Sequence, residues 1–259
     1  MAAVQSEFVF GSHVVRIPPP PYPPGAAAYE HARAMGVGLL QPTRGTSSLE
    51  GVNGAFLPAV TADRVWPCAK AVGEWLHSSG APSVAGCNVV ELGAGCGLAG
   101  FAASKAGAAS VCLTELPENL PRLQELVEAN ECMGIVSAVA LDWTQPLPAV
   151  LGATRWDVII ATDCVFWPGL FMPLLTTIAA LCERPGSSPR VFLSMVNRLG
   201  RAQEFSAAAH EIGWTLQPIC QAAAGIATGR EVTVGGLPKP QSMEAMRREA
   251  CELYELRRA

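Results

Sequence analysis

Between Val65 and Ile219 the apolar positions alternate between two periods. In Val65–His77 (VWPCAKAVGEWLH), Val65, Ala69, Val72, Trp75 and Leu76 recur at helical spacing. Short apolar runs with the look of strands buried on both faces occupy Cys87–Leu92, Ala109–Thr114, Val136–Leu141, Asp157–Ala161, Arg190–Met195 and Trp214–Ile219. Helical stretches separate most of them. A small-residue segment runs to Ala106, and Pro117–Asn130 sets Leu120, Leu123, Leu126 and Val127 on one face with a proline in its first turn. Phe171–Leu181 is stopped by ERPGSSP, and Arg201–Ile212 is ended by Gly213. This alternation predicts an α/β fold, a doubly wound, mostly parallel sheet with helices on both faces.

The two ends read differently. Phe8, Phe10, Val14, Val15 and Ile17 predict a short hairpin or edge strand. IPPPPYPPG (17–25) is extended, because proline fixes φ and removes a donor. Residues 26–60 mix Gly, Ser, Thr and Pro and are expected to form a loop-rich, partly disordered insertion. The expected division is therefore an N-terminal extension over 1–60 and one domain over 61–259. Ser242–Ala250 reads as a helix. CELYELRR (251–258) either continues it or forms a final antiparallel strand with Cys251, Leu253 and Tyr254 inward, and the strand is preferred.

Composition narrows the function classes. Half of the 259 residues are hydrophobic and 15% are charged, as in globular proteins. A net charge of -4 gives no electrostatic reason to expect nucleic acid. No apolar run reaches the roughly 18 residues that span a bilayer, and the N-terminus lacks the basic and apolar regions of a secretory signal. The nine cysteines form no C-x-x-C pair and the four histidines no ligand spacing, which argues against zinc or a disulfide framework. Reduced thiols in the cytoplasm, with the nucleus as the alternative, fit better. The chain is expected to act as a monomer, without nucleic acid, membrane or metal.

The chemistry concentrates in VVELGAGCGLAGFAA (89–103). Gly95, Gly97 and Gly100 satisfy the dinucleotide fingerprint G-x-G-x-x-G between a strand and a helix. Such a loop suits either a nicotinamide dinucleotide or S-adenosylmethionine, and Glu115, ending the second strand, suits the ribose hydroxyls of both. Glu91 separates them: a carboxylate repels a pyrophosphate but accepts from a methionine ammonium. It could instead cap a local backbone group. Further along, Asp142 can accept from an adenine amino group and Trp143 offers the ring a flat apolar surface. The alternatives are a turn cap and a core plug. Asp163 follows the most apolar strand, with Phe166 three residues on.

E-L-G-A-G-C-G resembles motif I of the class I, seven-β-strand S-adenosylmethionine-dependent methyltransferases. Val65-Trp66-Pro67, Leu113-Thr114-Glu115-Leu116-Pro117-Glu118, Leu141-Asp142-Trp143 and Asp163-Cys164-Val165-Phe166 follow in an order similar to that of the methyltransferase-like protein-lysine methyltransferases of family-16 type. The early F-V-F-G-S-H-V-V-R-I is similar to that family's N-terminal strand pair. The likeness covers 61–220 well and is thin at 18–60 and 221–259.

The resemblance implies a seven-stranded Rossmann-like sheet, S-adenosyl-L-methionine as cofactor, and transfer of its methyl group to a lysine of a protein substrate. It implies a cofactor site built from Trp66, Glu91, Gly93, Ala94, Gly95, Gly97, Glu115, Leu116, Asp142, Trp143 and Thr162. Asp163 and Phe166 would be the catalytic residues, lining the substrate channel. Trp66 would lie near the methionine end, although a packing role suits it equally. Many family members carry tyrosine where this chain has Phe166, so a hydroxyl role there is lost. D-C-V-F lacks the prolines of the Asn/Asp-Pro-Pro-aromatic turn used on planar amide and exocyclic amino groups, which disfavours those substrates. A small molecule, another protein side chain such as histidine, or a non-catalytic binding role are the alternatives. A nicotinamide oxidoreductase lacks a visible Tyr-x-x-x-Lys.

Overall fold

The computed structural model of the chain describes residues 5–19, 62, 64–183, 187–197, 200–222 and 251–259. Most of the proline run, the 26–60 insertion and the expected helix at Ser242–Ala250 lie outside the described residues.

The chain opens with strands β1 (Ser6–Phe10) and β2 (His13–Ile17). They pair antiparallel with Phe10 opposite His13, which leaves a two-residue turn at Gly11 and Ser12. Gly11 sits at φ +58, as the first central residue of such a turn requires. Period-two alternation turns Phe8, Phe10, Val15 and Ile17 inward. They enter the same apolar cluster as the core of the main sheet. Asn130 binds the hairpin as a further strand would: Arg16 N–H donates to Asn130 Oδ1 at 2.6 Å, and Asn130 Nδ2 donates to Arg16 O at 2.7 Å.

Helix α1 (Pro67–Leu76) is followed by β3 (Asn88–Leu92), α2 (Leu98–Lys105) and β4 (Ser110–Glu115). A 3-10 turn at Pro117–Asn119 leads into α3 (Leu120–Ala129), then β5 (Val136–Ala140) and the short α4 (Ala149–Ala153). Next come β6 (Val158–Thr162), α5 (Phe171–Cys182), β7 (Arg190–Val196), α6 (Arg201–Glu211), β8 (Trp214–Ala222) and β9 (Cys251–Arg258).

These strands build one seven-stranded sheet in the order β5-β4-β3-β6-β7-β9-β8. All neighbours from β5 to β7 are parallel, and β9 runs antiparallel to both β7 and β8. The segment 251–258 is thus the expected strand, with Cys251 and Leu253 buried. Its Glu255 is buried as well. That carboxylate is held by Arg190 Nε at 2.7 Å and Arg257 Nε at 3.0 Å, and the Arg190 bond pulls its pKa below the usual carboxylate range. Pro218, which has no N–H to donate, lies at a register break on the edge strand β8.

The sheet is covered on both faces. Val89, Val111, Leu113, Ile160 and Phe192 pack with α1, α2, α3 and the hairpin. Val90, Leu92, Ile159, Ala161 and Leu193 pack with α4, α5 and α6. Every residue of β6 is buried, as expected of a central parallel strand. Strand order reverses between β3 and β6, since successive connections leave that pair in opposite directions. Ligands of open parallel sheets bind in the crevice at such a point, beyond the carboxyl ends of the strands. No helix among the described residues is long and apolar enough to cross a membrane.

One ring of the hairpin packs closely on α1. A Cβ at Gly73 of α1 would lie 2.6 Å from Phe10 Cζ, so the glycine makes room for the phenylalanine. We predict that Phe10→Ala costs about 3–5 kcal/mol by opening a cavity in this cluster. Urea unfolding measures it; a loss under about 1 kcal/mol would show that the hairpin is dispensable to the core.

Candidate functional site

The glycine loop turns out of β3 at Leu92. Gly93, Gly95 and Gly97 all take positive φ, at +61, +52 and +70, which is why side-chain-bearing residues do not replace them readily. The loop is held largely by the strands beside it. Ala94 N–H donates to Thr114 O at 2.9 Å and Gly97 N–H to Ala94 O at 2.7 Å. Gly95 N–H donates to Glu115 Oε2 at 2.9 Å, and Gly100 N–H, on α2, donates to Glu91 Oε2 at 2.7 Å. Four of the amides around this loop are therefore already held, two by carbonyls and two by acidic side chains.

Glu91 lies under the loop, wholly buried, on the face of β3 that meets α2. A Cβ at Gly100 would lie 2.7 Å from Glu91 Oε2 and 2.2 Å from Leu113 Cδ2, so the third glycine of the fingerprint serves close packing of helix on strand. The other oxygen, Oε1, is buried without a hydrogen-bond partner. Burial pushes the Glu91 pKa up to about 8; the Gly100 N–H works against this, and repulsion from Glu115 adds to it. The local backbone cap weighed from the sequence is the contact observed.

Glu115 ends β4 and is half-buried. Oε2 accepts from Gly95, while Oε1 accepts from Leu116 N–H at 3.0 Å and from Asn119 Nδ2 at 3.1 Å. A carboxylate has about four acceptor positions, so Oε2 keeps capacity for a ligand hydroxyl. From the end of β5, Trp143 leans over the loop: a Cβ at Gly93 would lie 3.1 Å from Trp143 Cζ2 and 3.0 Å from Cys164 Sγ. Asp142 Oδ1 takes Thr144 N–H at 2.8 Å and Thr144 Oγ1 at 2.7 Å, which fixes the turn carrying the indole.

Thr162 is buried as the last residue of β6, and Asp163 breaks from the strand at φ +55. Asp163 N–H donates to Ser194 O at 2.8 Å, and Asp163 Oδ2 accepts from Cys68 N–H at 2.8 Å. Phe166 is 40% exposed, and Met172 on the same segment is 41% exposed. Trp66 precedes α1 in extended conformation, with the Arg64 guanidinium 5.7 Å from its ring centroid. Gly93, Ala94, Gly95, Gly97, Glu115, Leu116, Asp142, Trp143, Thr162 and Asp163 thus gather along the carboxyl edge of β3–β6, with Glu91 beneath them.

Other contributors carried no mark in the sequence. Cys164 stays protonated, since burial raises its pKa well above the thiol range, and it donates to Leu92 O at 3.3 Å. Its place inside the D-C-V-F segment was the available signal. Ala62 O receives Cys96 Sγ at 3.1 Å and lies 3.3 Å from a Cβ built on Gly95, so it closes that side of the loop. Cys68 matters through its backbone amide, which sequence does not display. Among the described residues no group of three metal-ligating side chains gathers.

A doubly wound sheet with a glycine loop at its switch point and acids in or just beyond the last residues of its first, second and fourth parallel strands is the frame of the Rossmann-like methyltransferases. More narrowly, residues 58–211 match the lysine methyltransferase family model, and the chain belongs to that family. Its relatives include a histone-arginine methyltransferase of Homo sapiens, METTL23, 32% identical over 50% of this chain and 66% of that protein. The protein N-lysine methyltransferase METTL21A of Mus musculus is 35% identical over 46% of this chain and 55% of its own length. The chain thus spans little more than half to two thirds of these curated relatives. Among solved structures, the mitomycin 7-O-methyltransferase MmcR superposes with a TM-score of 0.50 at 15% identity, covering 74% of this chain and 54% of that one, and the likeness is one of fold.

Glu91 generates a prediction about pH. Its folded pKa is raised from 4.5 to about 8, so the stability held by the neutral form is complete below about 4.5 and is lost as pH rises through about 8. Glu91→Gln removes this dependence while keeping an acceptor for Gly100. Thermal melts from pH 5 to 9 should show wild type falling steadily relative to Glu91→Gln; parallel curves would mean that the buried carboxyl does not titrate in this range.

Proposed function

We propose that the chain binds S-adenosyl-L-methionine in this crevice and transfers its methyl group to a lysine side chain of a protein substrate. The observation that carries this reading is the occupation of the loop amides. Gly95 donates to the half-buried Glu115, so a diphosphate would meet a carboxylate where it needs a donor, and the Gly100 amide beneath the loop is taken by Glu91. A cofactor with hydroxyls, an ammonium and no phosphate suits the same lining. The fit is supported by the buried, unpartnered Glu91 Oε1 below the loop and by the close seating of Trp143 on Gly93, which sets an indole wall directly beside the loop backbone.

When bound, the cofactor supplies an electrophilic methyl on a sulfonium, which a neutral amine takes while the carbon–sulfur electron pair stays with sulfur. Glu115 Oε2 accepts from the ribose hydroxyls, and Leu116 follows it at the rim. Asp142 accepts from the adenine amino group, with the Trp143 indole as the flat wall. Gly93, Ala94, Gly95 and Gly97 let the cofactor approach the backbone, while Glu91 holds the loop in shape from beneath. Thr162 and Trp66 bound the methionine end. Phe166, exposed at the mouth, forms one wall for the entering side chain. A lysine amine, with a reference pKa of about 10.4, must arrive neutral.

An arginine substrate is the second reading, prompted by the METTL23 relative. A guanidinium stays charged and asks for a bidentate carboxylate, whereas Asp163 has Oδ2 engaged by the Cys68 amide. The site suits an amine better. Residues 61–259 then form the methyl-transfer domain, with 1–60 as its extension. The chain acts as a monomer in the cytoplasm or nucleus, where the free cysteines stay reduced.

Methyl-labelled cofactor added to a cell lysate with the wild-type chain should label a protein band that Asp163→Ala leaves dark, and hydrolysis of that band should yield methyl-lysine. Methylarginine would select the second reading, and label confined to small molecules would reject both. Glu115→Ala should weaken S-adenosylhomocysteine binding by about 1–3 kcal/mol, the cost of leaving buried hydroxyl donors without an acceptor. Calorimetry reads this directly, and unchanged affinity would remove Glu115 from the ribose site.

A further inference from the structure

Asp163 is held more firmly than a mobile acid would be. Its φ of +55 is in the left-handed region, which Asn and Asp tolerate better than other side-chain-bearing residues. Its N–H is bound to Ser194 O at 2.8 Å. Its Oδ2 accepts at 2.8 Å from the amide of Cys68, 95 residues earlier in the chain. Cys68 is the second residue of α1, and first-turn amides have no acceptor within their own helix. Trp66, in the N-cap position, does not cap the helix with its side chain. The Asp163 carboxylate supplies the cap from another part of the fold.

The surroundings lock this arrangement. The Cys68 side chain is fully buried and packs with Val196 of β7 and Cys251 of β9. Ser194 is 2% exposed, and its Oγ donates to Glu252 O at 3.1 Å. One node therefore joins α1, β6, β7 and β9, and Asp163 is its arm toward the crevice.

We propose that Asp163 is a positioning residue: its carboxylate fixes the start of α1, and with it Trp66 and Pro67, against the Cys164–Phe166 wall, and it does not serve as the proton acceptor for the incoming amine. The inference rests on the methyl-transfer reading and deepens it. The amine needs alignment with the methyl carbon more than it needs a base, because it reacts in its neutral form. A carboxylate engaged by a helix start cannot follow the amine through the displacement, but it can hold the two walls of the channel at a fixed separation.

Asparagine separates the two roles. Its Oδ1 can accept from the same Cys68 N–H, and it tolerates the same backbone, but it cannot take a proton from an ammonium. Asp163→Asn should lose about three- to tenfold in kcat/KM, while Asp163→Ala should lose about a hundredfold or more, the scale expected when a channel wall shifts by about 1 Å. The acidic limb of the pH–rate profile should persist in Asp163→Asn. Cys68→Pro deletes the donor and also strains the helical conformation of Pro67, and should fall at least as far as Asp163→Ala, whereas Cys68→Ala keeps the N–H and should fall much less. Circular dichroism confirms that each variant is folded, and hydrogen exchange at the Cys68 amide should be slow in wild type and Asp163→Asn and fast in Asp163→Ala.

An Asp163→Asn chain as inactive as Asp163→Ala, beside an active wild type and with the amide still protected, overturns the inference. So does an Asp163→Ala chain in which that amide stays protected. A wild-type chain that transfers no methyl group fails the functional reading instead, and the exchange measurement still decides whether Asp163 holds α1.

Discussion

The site rests on two acidic side chains that turn backbone amides inward. Glu91 holds Gly100 from below and Glu115 holds Gly95 from the side. Between them they fix the exit of β3, the start of α2 and the end of β4 as one unit. A loop of small residues has little packing of its own, so its shape must come from hydrogen bonds supplied by neighbouring strands. The arrangement also sets what can bind. A loop with Gly95 already engaged and the Glu115 carboxylate beside it offers acceptors, which suits a ligand rich in hydroxyl and amino groups.

The same economy recurs on the other side of the crevice. Asp142 folds the turn that aims Trp143 at Gly93, and the Cys164 thiol donates a hydrogen bond to Leu92 O directly beside that glycine. Neither group acts alone. The indole can lie against the loop because Gly93 has no side chain, and the thiol fills the remaining gap because burial keeps it neutral. Chemistry at this edge is carried by side chains whose other contacts are structural.

Much of this was legible in the sequence, for physical reasons. Strands such as Val158–Thr162 announce themselves because both faces are buried and every position must be apolar or small. The helices with long periodic faces, α1 and α3, were placed to within a few residues, although Pro117–Asn119 opens as a 3-10 turn. Helix α4 was not foreseen, since five residues are too few to establish a period. The position of β9 inside the sheet was equally hidden, because register between distant strands leaves no local trace. At the site, the gathering of Gly93, Glu115, Trp143 and Asp163 followed from their places at strand ends. The burial of Glu91 did not, because an acid two residues before a turn reads the same whether it points up at a ligand or sideways at a helix. The bond from the Cys68 amide to Asp163 was out of reach, because a backbone donor has no letter of its own.

Strand β9 enters the sheet between β7 and β8, although it follows both in the chain. During synthesis, β8 has no edge to join until residues beyond 250 have cleared the ribosome, so an apolar ledge along β7 stays open after the rest of the sheet is made. The nascent chain must carry that unpaired edge through the whole 223–250 stretch, a window in which a chaperone or a neighbouring chain competes for the slot that Cys251–Arg258 later fills.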